Sequence, residues 1–348
     1  MEMQLGLGLH TFGDRTIDWD GESLTAAQVI RNVVDEAVLA DELGLAFFGV
    51  GEHHRADFAV SAPEVVLSAI AARTSQIHLG SAVTVLSSDD PVRVFERFST
   101  VDAISKGRAE VILGRGSFTE SFPLFGYDLA DYHKLFEEKI ELFAELLKEM
   151  PVTWKGETRS GLTAQSVYPP TESGKITTWV GVGGSPESVV RAAQYGMPLM
   201  LAIIGGEPVR FAGYVDLYKR ALTEFKLPEL PVAAHSPGHI AATDELAREE
   251  LWPHYRKMND RIGRERGWPP MTRERFEQEV VHGALFVGSP ETVAAKIVKT
   301  ARALGLARFD LKYANGTMQH ELLLTSIGLY GREVAPLVRE QMRAAGPA

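Results

Sequence analysis

Short apolar runs alternate with amphipathic helical patterns along almost the whole chain. The runs lie at residues 5–9, 46–50, 78–85, 110–113, 177–182, 198–203 and 230–234, and a further strand is predicted at 309–313. A short run that is apolar throughout is typical of a buried parallel strand. Each predicted strand is followed by a predicted helix, and this order favours an α/β fold of the TIM-like (β/α)8 barrel type over a doubly wound sheet.

Polar residues indicate where several of the helices begin. Thr25 with Gln28 and Ser61 with Glu64 have the spacing of a capping box, in which a side chain at each end satisfies a backbone N–H. Asp90 precedes a proline and is expected to cap the helix after the third strand. A single long helix is predicted from residue 319 to about residue 342.

No stretch of the chain resembles an interdomain linker. We therefore predict one barrel domain over residues 1–348, with insertions near 151–170 and 266–288. Residues 151–170 are rich in Thr, Gly, Ser and Pro, and a hairpin is the expectation there. The first strand is not followed by a G-x-G-x-x-G motif, which argues against a Rossmann domain.

Composition narrows the class of function. The 348 residues carry a formal net charge of −10 and no local basic cluster, which argues against nucleic acid as a partner. The absence of cysteine excludes disulfides, thiolate metal sites and a cysteine nucleophile. The N-terminal residues do not resemble a secretion signal, and no apolar run approaches the ~20 residues of a membrane span, so a cytoplasmic protein is expected.

An arginine directly follows the fourth predicted strand. Arg115 lies between Gly114 and Gly116, just past the carboxyl end of that strand. Ligands of α/β folds bind outside this edge, and two flanking glycines leave an anion room to reach the backbone. A loop arginine paired with a surface carboxylate is the alternative.

One short pattern occurs twice. GSPESV at residues 184–189 recurs as GSPETV at residues 288–293, with serine as a helix N-cap and proline at the first helical position. The free N–H groups of a helix N-terminus bind phosphate readily. The first copy follows several glycines, so a phosphate site and a plain capped helix are both open there. For the second copy a plain capped helix is expected.

Histidines are the candidates for proton transfer. Glu52, His53 and His54 follow the second strand, and adjacent residues of an extended chain point to opposite sides, so at most one histidine faces the barrel mouth. A histidine there could act as a general base or be hydrogen-bonded to backbone only. His235 and His239 are four residues apart, but the intervening Pro-Gly precludes a helix, and no metal site is predicted. Three more residues near strand ends are expected to line the same cavity, and they are His10, Phe12 and Tyr313.

Five separated segments together resemble the bacterial luciferase-like flavin monooxygenases. They are EHH at 52–54, GSAVTVLSSDDPVR at 80–93, SKGRAEVILGRGSF at 105–118, GGSPESVVRAAQYGMPLML at 183–201 and HELLLTSIGLYGREVAPLVRE at 320–340. The resemblance extends through the whole chain. It implies a barrel that binds FMN, in its reduced form as a co-substrate, at the carboxyl ends of the strands.

The resemblance also implies roles for individual residues. His53 matches the histidine that luciferases use as a catalytic base. Luciferase has a reactive cysteine at the position of Gly114 and a glutamate at that of Gly184, so the chain departs from its pattern at these two residues. The residues that match cofactor-binding positions are Ala82 and Val83 under the flavin ring, and Arg115, Gly184, Ser185 and Ser188 at the phosphate.

The small residues 80–82 allow the third strand to kink, and in the family a bulge lies there beneath the ring. We therefore expect a cis peptide bond between Ala82 and Val83.

The function implied is that of a two-component monooxygenase. A separate reductase would supply reduced flavin, and oxygen and a small organic substrate would react in the barrel. A deazaflavin-dependent hydride-transfer enzyme and a non-catalytic flavin-binding protein are the alternatives. The family also implies a homodimer, through helices that carry Val29, Val33, Val65, Val66 and Ile70. The substrate is not determined by the sequence, although Phe118, Phe122, Phe125 and Trp268 are compatible with an apolar or aromatic ligand.

Overall fold

The apolar runs form a closed parallel barrel. The computed structural model describes residues 5–116 and 118–344. Within these residues the strands are β1 (Gly6–Thr11), β2 (Phe47–Val50), β3 (His78–Ser81), β4 (Thr84–Val85), β5 (Ala109–Gly114), β6 (Val152–Trp154), β7 (Leu162–Gln165), β8 (Thr177–Val182), β9 (Leu199–Ala202), β10 (Val232–Ile240), β11 (Phe286–Gly288) and β12 (Arg308–Lys312).

Eight of these strands close the barrel in the order β1-β2-β3-β5-β8-β9-β10-β12, and all their pairings are parallel. Closure is made by β12 against β1, in a register that runs from Gly6 opposite Arg308 to His10 opposite Lys312. The predicted TIM-like (β/α)8 fold is confirmed.

Helices surround the barrel. They are α1 (Ala26–Glu42), α2 (Pro63–Arg73), α3 (Pro91–Ser105), α4 (Ser121–Leu124), α5 (Tyr132–Leu146), α6 (Pro186–Gln194), α7 (Ala212–Glu224), α8 (Asp244–Arg266), α9 (Arg273–Val281), α10 (Pro290–Leu304), α11 (His320–Leu329) and α12 (Ala335–Ala344). None of the helices in the described residues is long and apolar enough to cross a membrane.

The predicted last helix is divided into two. A wider turn with π-type hydrogen bonding, Tyr330–Val334, separates α11 from α12. This turn packs closely on the end of α1, because a Cβ on Gly331 would lie 2.7 Å from the Cβ of Leu43. Periodicity alone did not reveal the interruption, since the apolar pattern continues through it.

Thr25 and Asp90 cap their helices, as predicted. Thr25 accepts a hydrogen bond from the backbone N–H of Gln28 at 3.2 Å, and Asp90 accepts from the N–H groups of Val92 and Arg93. The reciprocal half of the first capping box is absent from the described contacts, since the Gln28 amide donates to Asn32 at 2.8 Å.

The prediction for Ser61 was wrong. The N-cap of α2 is Ala62, and the helix begins at Pro63 without a side-chain cap. Glu64 is buried, with its carboxylate 3.5 Å from Nε of Arg97 on α3. An ion pair between neighbouring helices therefore holds Glu64 in place of the predicted bond to its own helix N-terminus.

Both predicted insertions contain regular structure. The first forms an antiparallel hairpin of β6 and β7, as expected. The second contains α9 and β11, and β11 extends the sheet by pairing with the end of β10, Gly238 opposite Phe286. This additional pairing explains why β10 is longer than its predicted strand at 230–234.

Two apolar clusters lie on either side of the barrel wall. The large one fills the space between strands and helices. The small one lies inside the barrel and consists of Phe47, Ile112, Trp179, Met200 and Ala233, with Val83 packed against it. The interior is thus filled by side chains, as in other eight-stranded barrels, and the space above this cluster is available to a ligand.

Candidate active site

A cavity of about 670 Å³ opens at the carboxyl ends of the barrel strands. Every residue that the sequence analysis expected to bind the cofactor or transfer a proton lines it. These residues are His53, Ala82, Val83, Arg115, Gly184, Ser185 and Ser188. The fold therefore brings together groups that lie more than a hundred residues apart in the chain.

Arg115 follows β5 and contacts ring systems. Its Nη1 lies 3.3 Å from Nδ1 of His133, and its guanidinium carbon lies 5.5 Å from the centre of the Tyr132 ring. The Tyr132 hydroxyl donates to the carbonyl oxygen of Gly116 at 3.0 Å. The first residues of α5 thus contact both Arg115 and the backbone of Gly116.

The N-terminus of α6 faces this arginine. Ser185 caps the helix, and its hydroxyl oxygen accepts from the backbone N–H of Ser188 at 3.3 Å. The Ser185 hydroxyl also donates to the Glu187 carboxylate at 2.7 Å. That hydrogen bond, with the charges of Arg115 and His133, lowers the pKa of Glu187. The position favours negative charge, as expected at a helix N-terminus.

A second cation, which the sequence analysis missed, lies beside Arg115. Arg191 is buried on α6, donates to the Ser188 hydroxyl at 3.2 Å, and is paired with Glu137 on α5. Burial and the nearby charge of Arg115 lower the pKa of Arg191. Ser188 and Arg191 are three residues apart on one helix face, which is the spacing that could have identified the arginine.

The second copy of the repeated pattern is a plain capped helix, as expected. Ser289 caps α10 and accepts from the N–H of Thr292 at 3.4 Å. The Asp244 carboxylate accepts from the Ser289 N–H at 2.7 Å and from the Thr292 hydroxyl at 3.0 Å. A side-chain carboxylate thus occupies the place that a phosphate would take at this helix.

The middle of the cavity is formed by Ala82 and Val83, and the peptide bond between them is cis, as expected. Two glycines make room for the Val83 side chain. A Cβ on Gly114 would lie 2.4 Å from Cγ2 of Val83, and one on Gly181 would lie 3.2 Å from Cγ1. Any larger residue at position 114 would displace Val83.

His53 is enclosed by aromatic rings. Its ring centre lies 4.7 Å from that of Phe12, 4.4 Å from that of Phe58 and 5.0 Å from that of Phe118. Edges and faces of these rings cover much of the imidazole, which is partly exposed to the cavity. As the alternation predicted, only His53 lines the cavity, whereas the His54 ring lies 2.8 Å from the Glu52 carboxylate.

Burial and neighbouring cations determine the protonation of His53. Desolvation lowers the pKa of His53 to about 3, and the charges of Lys312 and Arg55 act in the same direction. The imidazole is therefore neutral near pH 7 in the ligand-free protein. A negative charge introduced into the cavity would raise this pKa.

Of the three further residues expected to line the cavity, His10 and Phe12 do so, but the expectation for Tyr313 was wrong. The Tyr313 hydroxyl bonds to the Glu36 carboxylate on α1, outside the barrel. Neighbouring residues of a strand point to opposite sides, and Lys312 is the one that lines the cavity. Lys312 is buried and pairs with Asp14 at 3.2 Å.

Charged side chains also occupy the barrel interior, and they were not predicted from the sequence. Arg308 donates to Glu110 at 2.7 Å and to Asp310 at 3.1 Å, and the Trp179 indole donates to Glu110 at 2.8 Å. Burial alone would raise the pKa of Glu110, but the charge of Arg308 lowers it to about 2. The alternation of charged and apolar residues in Arg308–Lys312 was the available signal.

One wall of the cavity comes from α8. Its lining residues are spaced for one helix face, and they are Tyr255, Met258, Asn259, Ile262 and Arg266. Of the four aromatics considered above, Phe118 and Trp268 line the cavity. Phe122 stacks on Tyr132 beneath the loop, and Phe125 is exposed beside His54.

The two histidines of β10 do not form a metal site. His235 lines the cavity, whereas His239 bonds to Glu250 at 2.6 Å. Within residues 5–116 and 118–344, three or more metal-ligating side chains are nowhere grouped closely enough to hold an ion.

Comparison with known proteins identifies the family. The family model described as luciferase-like monooxygenase matches residues 16–308, which is most of the chain. The chain belongs to the luciferase-like monooxygenase family. It is therefore an enzyme of the flavin-dependent monooxygenase and oxidoreductase type.

Several named relatives align with the chain. N-acetyl-S-alkylcysteine monooxygenase of Bacillus subtilis is 30% identical over 240 residues, covering 65% of this chain and 70% of the relative. The alkanal monooxygenase alpha chain of Photorhabdus laumondii is 23% identical, covering 96% and 99%. An uncharacterised protein of Sinorhizobium fredii is 30% identical over 52% of each chain.

Solved structures share the fold. Monooxygenase RslO1 of Streptomyces bottropensis has a TM-score of 0.82 at 22% identity, covering 95% of this chain and 99% of its own. The oxygenating constituent of 3,6-diketocamphane monooxygenase of Pseudomonas putida, in complex with FMN, has a TM-score of 0.75 at 19% identity. The match covers 96% of this chain and 99% of that structure's chain. The F420-dependent tetrahydromethanopterin reductase of Methanopyrus kandleri has a TM-score of 0.71 at 18% identity, and the match also covers 96% of this chain and 99% of that structure's chain.

The two departures from luciferase noted in the sequence have structural reasons in this luciferase-like monooxygenase. Gly114 leaves the space that Val83 occupies. Gly184 has a φ of 142°, which residues with a side chain rarely adopt, and its carbonyl oxygen accepts from the Tyr214 hydroxyl at 3.0 Å. A glutamate at position 184 would require a different backbone before α6.

Proposed function

We propose that the protein is the oxygenase component of a two-component monooxygenase. It would receive reduced FMN from a separate reductase and use oxygen to oxidise a small organic substrate. The observation that carries the proposal is one cavity with a cationic helix N-terminus at Arg115 and Arg191 and an apolar platform at Ala82 and Val83.

The phosphate end has the chemistry that FMN requires. Arg115 and Arg191 are two guanidinium groups close enough for one to lower the pKa of the other, and only Arg191 has a carboxylate partner in the described contacts. A dianionic phosphate would relieve their repulsion and accept from the Ser185 and Ser188 hydroxyls. The exposed Glu187 carboxylate would turn into solvent when the phosphate binds.

The platform suits a flat ring. Gly114 and Gly181 flank Val83, and Ala82 is small, so backbone and methyl groups form the surface. Reduced flavin, when bound, supplies the two electrons that reduce oxygen. The protein's own part is to hold the cofactor, orient the substrate against it and exclude water.

His53 is proposed as a proton-transfer residue in this site. A base whose pKa is about 3 accepts a proton poorly at neutral pH. Negative charge brought in with the cofactor would raise the pKa, so His53 becomes an effective base only in the loaded enzyme. Its aromatic neighbours cover much of the imidazole and reduce its contact with water.

The alternative cofactor is the deazaflavin F420, because one structural neighbour is F420-dependent. A terminal phosphate monoester, as in FMN, carries up to two negative charges, whereas the phosphodiester of F420 carries one. Two guanidinium groups at a helix N-terminus favour the dianion. We therefore propose FMN over F420.

Binding spectroscopy tests this choice. The protein is titrated with FMN, with photoreduced FMN under anaerobic conditions, with riboflavin and with F420, and absorbance and fluorescence are followed. We expect reduced FMN to bind more tightly than riboflavin, which lacks the phosphate. Tighter binding of F420, or equal affinity for riboflavin and FMN, would contradict the proposal. Oxygen uptake with a flavin reductase and candidate substrates then separates an enzyme from a flavin-binding protein.

We further propose one barrel domain and a homodimer. The apolar residues that suggested an interface are largely buried within the subunit, since Val29, Val33, Val66 and Ile70 are at most 7% exposed. Val65 is 70% exposed on α2 and stays a candidate contact. Sedimentation at micromolar concentration should give twice the mass of one chain, and a single-chain mass would refute the dimer.

A further inference from the structure

A second histidine lies at the floor of the cavity, next to a carboxylate. Nε2 of His10 is 3.0 Å from Oδ2 of Asp310, and the side chains are 1% and 0% exposed. Asp310 also accepts from Nε of Arg308 at 3.1 Å. Both ring nitrogens of His10 are buried, and among the described residues neither makes a well-formed hydrogen bond, so Nε2 and Asp310 are within ion-pair distance only.

Packing fixes the position of both side chains. Gly8 is opposite Asp310 in the pairing of β1 with β12, and a Cβ on Gly8 would lie 2.2 Å from Oδ1 of Asp310. A Cβ on Gly49 of β2 would lie 2.7 Å from Cδ2 of His10. The two glycines make room for the pair, and a larger residue at either position would displace it.

Such a pair has a defined tautomer. A carboxylate at Nε2 favours the proton on Nε2, and it leaves the lone pair on Nδ1. This is the arrangement in which a carboxylate orients a histidine base in other enzymes. Here the pair lies inside the barrel, and His10 lines the same cavity as the proposed flavin platform.

We propose that His10, oriented by Asp310, is a second proton-transfer residue of this cavity, and the proposal rests on the flavin-dependent function above. Nδ1 accepts one proton from a group bound in the cavity, while the proton on Nε2 stays beside the Asp310 carboxylate. The Nδ1 lone pair forms the new N–H bond, the donor keeps the electron pair of the bond that breaks, and nothing is oxidised or reduced. The positive charge on the imidazolium is compensated by Asp310, and the proton later returns to the cavity or to solvent.

Neither His53 nor His235 is a histidine oriented by a carboxylate in this way. His53 has no carboxylate partner among the described contacts, and its surroundings are aromatic rings and cations. The His235 ring is 5.0 Å from that of His10, and burial and the neighbouring His10 hold the pKa of His235 well below its ordinary value. His235 therefore stays neutral and covers one face of His10.

The charged and titratable groups near His10 come from two strands. Arg308, Asp310 and Lys312 lie on β12, and His235 lies on β10. The neighbouring positions of β2 are Phe47 and Gly49, which do not titrate. Two cations lie near His10 besides the Asp310 carboxylate. Arg308 also pairs with Glu110, and Lys312 pairs with Asp14 and has a pKa lowered by burial.

The first test requires no cofactor. Nitrogen-15 NMR of the imidazole groups in the ligand-free protein should give His10 protonated at Nε2, and Asp310→Asn should change its tautomer. The His239→Gln variant is a matched control and helps assign the signals, because His239 is also buried and paired with a carboxylate but does not line the cavity. A His10 protonated at Nδ1 and bare at Nε2 would overturn the inference.

The second test uses photoreduced FMN as the probe. Its reoxidation by oxygen in the cavity is followed by stopped-flow absorbance between pH 5 and pH 9. We expect His10→Gln to bind FMN as the wild type does, to lose one ionisation from the pH profile, and to react about 10²-fold more slowly. His239→Gln should keep the wild-type profile.

The outcomes separate the two proposals. An unchanged pH profile in His10→Gln, with normal FMN binding, overturns the role of His10 alone. If the wild type binds neither FMN nor F420, the flavin-dependent function fails, and the role of His10 fails with it.

Discussion

Replacing Arg115 by alanine should weaken FMN binding through the phosphate alone. Arg115 contacts His133 and Tyr132, so its charge is not already compensated by a carboxylate in the described contacts, unlike that of Arg191. A hydrogen bond to a charged group contributes about 1.5–3 kcal/mol, which corresponds to a roughly 10- to 150-fold change in dissociation constant. Arg191 remains in the variant and Arg115 is partly exposed, so the lower part of this range is expected, about 10- to 30-fold.

The assay compares FMN with riboflavin. Fluorescence titrations of both ligands are made with wild type, Arg115→Ala and Arg93→Ala at low salt and at 0.15 M salt. Arg93 is a suitable control because its side chain is 75% exposed on α3 and pairs with Glu96. Added salt should reduce the effect of Arg115, since the Debye length is ≈ 8 Å at that ionic strength.

Either of two results would contradict the predicted role of Arg115. An FMN dissociation constant that does not change in Arg115→Ala would exclude this residue from the phosphate site. An equal loss of riboflavin affinity would mean that the variant disturbs the whole cavity, and the argument from charge would then have no support.

Three further predictions follow from the same structure. His53→Ala should retain FMN affinity and lower turnover about 10²–10⁴-fold in steady-state kinetics, and normal turnover would make His53 a structural residue. Gly114→Ala should displace Val83, destabilise the fold by about 1–3 kcal/mol in urea and weaken flavin binding, because the new Cβ would lie 2.4 Å from Val83. Glu110→Gln should cost about 1.5–3 kcal/mol at pH 7, because Arg308 loses one of its two buried carboxylate partners and keeps Asp310, and equal denaturation midpoints would contradict this. The pKa of Glu110 is lowered from its ordinary value of 4.5 to about 2, so the ionised carboxylate stabilises the fold fully above pH 4.5, and this stabilisation is lost as the pH falls toward 2. The free energy of unfolding of Glu110→Gln should therefore depend less on pH in that range than that of the wild type.

The order of strands and helices was predictable because buried strands and the buried faces of helices have characteristic apolar patterns in the sequence. β5 is buried at every position, and an uninterrupted apolar run is the direct consequence. Glycines that end strands and prolines that begin helices mark the same boundaries locally. Arg115, Ser185 and His53 were identified in the same way, since each directly follows a predicted strand or begins a helix.

The charged interior of the barrel depended on tertiary structure. Arg308 and Glu110 are 198 residues apart in the chain, and their bond exists because closure of the barrel points both side chains inward. A charge in a strand predicts solvent exposure unless its partner is known, so the sequence alone argues for the opposite placement.

The dependence on tertiary contacts also explains why the predicted positions of Tyr313 and Glu64 were wrong. Tyr313 and Lys312 are neighbours, and only the register of β12 against β1 decides which of them faces the cavity. Likewise, the apolar pattern predicted helix α2, but contact with Arg97 on α3 decided where the Glu64 carboxylate lies. Local patterns determine which elements form, because each element must bury its own apolar face. The positions of polar side chains depend on partners that only the closed barrel brings within reach, because a buried charge is stable only next to its counter-charge.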